Sequence, residues 1–149
     1  MSGSHKSAAR TFERSFEALQ DIFEFTAAQF ALQGIADELR PTIDLVLEEL
    51  FTNMVKYGVG GDSRVRIEIA AAGGGVEVVM VDHGAGRFDV TQAPDADTSL
   101  PLERRTPGGL GLHLVKRLVD SIEYEYREEG RETLIRFCKT LARDRKSVV

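Results

Sequence analysis

Residues 45–58, LVLEELFTNMVKYG, combine a helical apolar pattern with two residues that could do chemistry. Glu49 and Asn53 are four positions apart, so on a helix they share one face, about 40° apart, while Glu48 lies on the opposite flank. Magnesium favours oxygen ligands and often takes only one or two from the protein, beside substrate phosphates. The Asn53 amide oxygen suits that task, and Glu49 could deprotonate a hydroxyl. Taken alone, the pair also fits a solvated helix face.

A second cluster, DHGAGR at residues 82–87, follows an apolar run that is typical of a buried strand. Asp82 at the end of a strand could accept a hydrogen bond from an exocyclic amine. Gly84 and Gly86 would let the backbone turn sharply and approach a ligand closely. A plain turn after the strand is the alternative interpretation.

A third cluster, PGGLGLHLVK at residues 107–116, is a glycine-rich turn that enters a helical pattern. Backbone N–H groups at the start of a helix form an anion site, and glycines remove the side chains that would block a phosphate. Glycines in this position also serve for capping alone.

The elements that must position these clusters alternate in type along the chain. Gly34 ends one predicted helix, and Pro41 opens another that Gly58 stops. The sequence predicts a short edge strand or helix at 10–16, helices at 17–34 and 41–57, a hairpin of 63–72 and 76–82, a helix at 109–119, and a closing hairpin of 121–129 and 132–141. This order predicts an α+β fold, with helices stacked on one face of a mostly antiparallel sheet.

Composition and charge exclude several classes of protein. The chain has 149 residues, 42% hydrophobic and 29% charged, which suits one soluble domain. A net charge of −5 argues against nonspecific nucleic-acid or anionic-membrane binding. With a single cysteine and no secretory or membrane-spanning pattern, we expect a cytoplasmic protein. We expect a lead-in at residues 1–9, one domain at 10–141 and a tail at 142–149.

The order and spacing of the three clusters resemble the GHKL ATPase superfamily, with its N, G1 and G2 boxes on the Bergerat fold, a two-layer α/β sandwich. The resemblance spans roughly residues 10–140. The small format looks most similar to the anti-sigma-factor serine kinases of bacterial partner-switching systems. It implies ATP and Mg²⁺ as cofactors.

The resemblance also implies roles for individual residues. Asn53 would be the magnesium ligand, and Glu49 would be the catalytic base. Asp82 would bind the adenine amino group, and Thr133 would lie nearby, although Arg131 and Glu132 separate it from the Gly130 that usually adjoins such a threonine. Residues 87–108 would form an ATP lid. The pocket and phosphate contacts would come from Gly84, Gly86, Gly108, Gly109, Leu110 and Gly111.

Two functions stay open at this point. The first is a serine/threonine kinase that phosphorylates a STAS-domain anti-sigma antagonist and also sequesters a sigma factor or another regulator. The second is an ATP-gated binding module that transfers no phosphate. The length disfavours a topoisomerase, chaperone or repair ATPase, and His5, His83 and His113 do not fit a phosphoacceptor histidine. A homodimer is implied by the resemblance alone.

Overall fold

The computed structural model describes residues 7–57, 64–83, 109–127 and 132–141. Two single 3₁₀ turns, at Phe16–Ala18 and Asp37–Leu39, precede the first and second helices. The main elements in chain order are β1 (Ser7–Glu13), α1 (Leu19–Gln33), α2 (Arg40–Tyr57), β2 (Arg64–Ala72), β3 (Gly75–His83), α3 (Gly109–Leu118), β4 (Ser121–Arg127) and β5 (Glu132–Thr140).

The strands of the described residues form one five-stranded sheet in the order β1-β2-β3-β5-β4. Each neighbouring pair runs antiparallel. Burial alternates along the central strands, so that one face of the sheet is covered and the other is open to solvent. The predicted α+β class, with an antiparallel sheet and three main helices, is confirmed.

One hydrophobic core lies between the helices and the covered face of the sheet. The predicted apolar stripe of α2 is buried from Ile43 to Met54, and Val55 is partly buried at its margin. Alternate residues of β2 (Val65, Ile67 and Ile69) are wholly buried and belong to the same core. The 3.6-residue and two-residue periods in the sequence therefore correspond to the two layers of the fold.

The first strand differs from the sequence prediction. A strand at 10–16 would have pointed Phe16 inward, but β1 ends at Glu13 and Phe16 is 51% exposed in the 3₁₀ turn. The backbone turns at this point, because the Ser15 N–H donates to the Glu13 carbonyl and the Ala18 N–H donates to the Ser15 carbonyl. Strand pairing extends in the other direction, to Ser7 opposite Ala70.

Glycines set two other boundaries. Gly34 ends α1 with a left-handed φ of 71°, as predicted. Gly73 and Gly74 form the turn of the first hairpin, whereas Gly75 is already part of β3. A Cβ on Gly75 would overlap the Lys139 carbonyl and lie 2.6 Å from the Thr140 Cα, so β5 can pack only against glycine here.

Within the described part of the chain, no helix combines the length and apolar character that crossing a bilayer requires.

Candidate functional site

Helix α2 holds Glu49 and Asn53 in direct contact. The Asn53 Nδ2 atom donates to the Glu49 carbonyl at 2.7 Å and to Glu49 Oε2 at 3.0 Å. Glu49 is half-buried, and Glu48 on the opposite flank is exposed. The i, i+4 spacing therefore gives the pair that the sequence predicts.

The other end of the Asn53 amide is chemically unusual. Asn53 is only 4% exposed, and its Oδ1 atom has no hydrogen-bond partner among the described residues. A buried polar oxygen without a partner carries a desolvation cost of about 1–3 kcal/mol. Such an atom suits coordination of a hard cation.

The end of β3 holds the second pair. Asp82 is fully buried and lies directly opposite Thr133 of β5 in the register. Residues paired across antiparallel strands point to the same face, so both side chains lie on the covered face of the sheet. Thr133 is 4% exposed, and its hydroxyl oxygen also has no hydrogen-bond partner within the part of the chain that is described. A carboxylate and a hydroxyl on one face could read polar groups of a planar base.

A third residue at this site was missed by the sequence analysis. The Arg14 Nη1 atom lies 3.6 Å from Asp82 Oδ1, and the Arg14 side chain is only 6% exposed. The sequence places Arg14 in the predicted edge strand or helix at 10–16 and gives it no role. Its contact depends on the turn after Glu13 and on the strand order of the sheet, neither of which has a local sequence signal.

Helix α3 begins at Gly109, so Gly109, Leu110 and Gly111 form its first turn. Buried Leu112 and Val115 fix the helix against the core, and α3 packs on α2. The first N–H groups of a helix have no partners within the helix and attract anions. Gly84, Gly86, Gly108 and the predicted lid at 87–108 lie outside the described residues.

Among the described residues, no group of three or more His, Cys, Asp or Glu side chains is placed so that it could hold a metal ion. A magnesium ion that takes one amide oxygen and otherwise phosphate and water needs no such group.

The described chain is thus a two-layer α+β domain. It has a carboxylate at the end of a strand, a Glu–Asn pair on one helix and a glycine-rich start of another helix. The family model for the histidine kinase-like ATPase domain matches residues 12–139. The chain belongs to this family, and membership in an ATPase family implies ATP binding. The resemblance to the GHKL ATPases is thereby confirmed.

Solved structures of other proteins share this fold. The crystal structure of the RsbU and RsbW domains of Rv1364c from Mycobacterium tuberculosis matches 93% of this chain with a TM-score of 0.64 and 17% identity. The chain spans 33% of that protein chain. The Acinetobacter baumannii histidine kinase AdeS matches 91% of this chain and is itself 68% covered, with a TM-score of 0.51 and 14% identity. No curated protein matches the sequence.

Proposed function

We propose that this chain is a Mg-ATP-dependent regulatory protein kinase, which phosphorylates a serine or threonine of a STAS-type antagonist and sequesters a sigma factor or comparable regulator. The observation that carries the proposal is the Glu49–Asn53 contact. One end of the Asn53 amide holds the Glu49 carboxylate, and the other end is a buried oxygen without a partner in the described residues. The family assignment and the similarity in fold to a protein with an RsbW domain support a kinase-like role.

The donor set fits magnesium. Asn53 Oδ1 would be the protein ligand, and the remaining ligands would be phosphate and water oxygens. Bound there, magnesium would neutralise charge on the phosphates of ATP.

The other roles belong to the protein's own groups. Glu49 accepts the proton of the partner's hydroxyl while that oxygen forms a bond to the γ-phosphorus and the bond to the β,γ-bridging oxygen breaks, with ADP as the leaving group. Asp82 accepts a hydrogen bond from the adenine amino group, with Thr133 beside it. The amides at Gly109, Leu110 and Gly111, together with Gly108 just before them, stabilise phosphate charge, and Gly84 and Gly86 shape the pocket beside the adenine.

A second candidate is the ATP-gated binding module. Helix α3, which follows the proposed lid, packs on the helix that carries Glu49 and Asn53. Nucleotide bound at these helices would therefore order the proposed lid at 87–108. A partner would bind according to the state of the lid, without phosphate transfer.

The two functions are separated by intact mass spectrometry. The wild-type protein is incubated with Mg-ATP and a STAS-domain protein encoded at a neighbouring locus. We expect one phosphate adduct on the partner. Glu49→Gln removes the base and should slow its formation at least about a hundredfold while ATP affinity is kept.

Glu48→Gln is the matched control, because Glu48 is exposed on the opposite flank of the same helix. It should leave the rate unchanged. If no adduct forms although ATP binds and the complex assembles, the kinase proposal is wrong and the gated module takes its place.

A further inference from the structure

Arg14 is a buried cation beside Asp82, at the end of the sheet where the adenine base is proposed to bind. Its side chain is 6% exposed, that of Asp82 is 0% exposed, and the two are 3.6 Å apart at Nη1 and Oδ1. Arg14 takes no part in the phosphate transfer proposed for this site.

The fold explains why a long side chain is needed at this position. Phe12, Val65, Asp82 and Thr133 are successive partners across β1, β2, β3 and β5. Since neighbouring strands lie about 4.8 Å apart, β1 and β3 are separated by about 10 Å. The chain turns at Arg14, immediately after β1, and a long side chain reaches past β2 to the carboxylate of β3. A short polar residue such as serine or asparagine could not span this distance.

The electrostatics of the contact favour an ionised Asp82. A fully buried carboxylate loses its hydration, and this disfavours the charged form unless a cation or hydrogen-bond donors compensate. The register neighbours Val65 and Thr133 carry no charge. The guanidinium of Arg14 does, and it stays protonated under all ordinary conditions.

We propose that Arg14 is a positioning residue that sets the nucleobase preference of the site, by holding Asp82 as an ionised hydrogen-bond acceptor. The inference rests on the proposed function, which takes Asp82 as the residue that reads the base. An ionised carboxylate accepts a hydrogen bond from the 6-amino group of adenine and repels the 6-keto oxygen of hypoxanthine. A protonated carboxyl group can instead donate to that keto oxygen.

The test compares ATP with ITP, which differ at position 6 of the base and share their ribose and phosphates. Both nucleotides are titrated calorimetrically with Mg²⁺ into the full chain. We expect the wild-type protein to prefer ATP, and Arg14→Met to reduce the ratio of the two affinities at least about tenfold. Because the phosphates are common to both ligands, the ratio does not respond to a general loss of phosphate binding.

Two further variants separate charge from packing. Arg14→Lys keeps a cation and should keep the ATP preference within about threefold, whereas Arg14→Gln keeps a donor without charge and should lose it. Arg10→Met is the matched control, because Arg10 is an exposed arginine of β1 that lies 4.9 Å from the Phe12 ring. It should leave the ratio unchanged. If Arg14→Met does not fold, as judged by circular dichroism, the Lys and Gln variants decide the question.

The outcomes distinguish this inference from the proposed function. A wild-type protein that binds neither nucleotide contradicts the proposed function and the inference together. A wild-type protein that prefers ATP, with the same ratio in folded Arg14→Met or Arg14→Gln, overturns the inference alone. A wild-type protein that binds ATP and ITP equally also overturns it.

Discussion

At the scale of single residues, some contacts of the site could be predicted from the sequence and one could not. Glu49 and Asn53 are neighbours on one helix, so their contact follows from the i, i+4 spacing alone. Asp82 and Thr133 could be proposed as a pair only through the family resemblance, since they meet through the β3–β5 register. The Arg14–Asp82 contact joins segments far apart in sequence, and no periodicity indicates it.

We expect Asn53 to contribute to function but little to the free energy of unfolding. Asn53→Ala removes a buried oxygen that has no partner in the described residues, and alanine has the higher helix propensity. These gains offset the loss of the two hydrogen bonds from Nδ2. We expect the free energy of unfolding of the nucleotide-free protein, measured in urea, to change by less than about 1 kcal/mol. A loss of several kcal/mol would show that Asn53 is chiefly structural.

At the scale of elements, helix and strand types were predictable where periodicity is long. The core-facing stripe of α2 and the alternation in β2 both appear in the structure as predicted. The bounds of β1 could not be predicted in this way. Phe12 is the single buried residue in that strand, and backbone hydrogen bonds set the turn after Glu13. In a short segment with a single buried apolar residue, the sequence does not distinguish the periodicity of a helix from that of a strand.

Gln33 joins α1 to the sheet through its side-chain amide. Its Nε2 atom donates to the Ile69 carbonyl at 3.0 Å, and its Oε1 atom accepts from the Ala71 N–H at 2.9 Å. Gln33→Ala leaves these two backbone groups of β2 without the amide, and we expect a loss of about 2 kcal/mol in the free energy of unfolding.

The control for this prediction is Gln29→Ala, which removes only the bond between the Gln29 and Gln33 side chains. Its effect should stay below about 1 kcal/mol. Equal effects of the two variants would show that the contact with β2 has no special weight.

At the scale of the whole molecule, the fold class could be predicted from the order of the elements along the chain. Which side chains meet at the site could not, because that depends on the order of the strands in the sheet.

One long-range contact connects the turn after α3 to the end of β5. The backbone N–H and the hydroxyl of Thr140 both donate to Asp120 Oδ2 at 2.8 Å. These hydrogen bonds, aided by Lys139, lower the pKa of Asp120 below its usual value.

This lowered pKa predicts a contribution to acid stability. Because the pKa is lower in the folded state, the stabilisation is fully present above the unfolded pKa of about 3.9 and is lost as the pH falls through the folded value. The Asp120 side chain is 45% exposed, so solvent screening keeps the effect below about 1 kcal/mol. Asp120→Asn should therefore be less stable than wild type at neutral pH and equal to it at the acid end.

Urea unfolding across this pH range measures the difference. Asp21→Asn, which removes an exposed carboxylate on α1, is the control. A difference between Asp120→Asn and wild type that persists unchanged into acid would contradict the assignment.

Calorimetric titration of ATP into the protein, once in the presence of Mg²⁺ and once in the presence of EDTA, decides whether Asn53 holds magnesium for ATP. We expect magnesium to raise the ATP affinity of the wild-type protein at least about tenfold, and Asn53→Ala to abolish this gain while its affinity in EDTA is unchanged. An unchanged magnesium dependence in Asn53→Ala would contradict this role of Asn53.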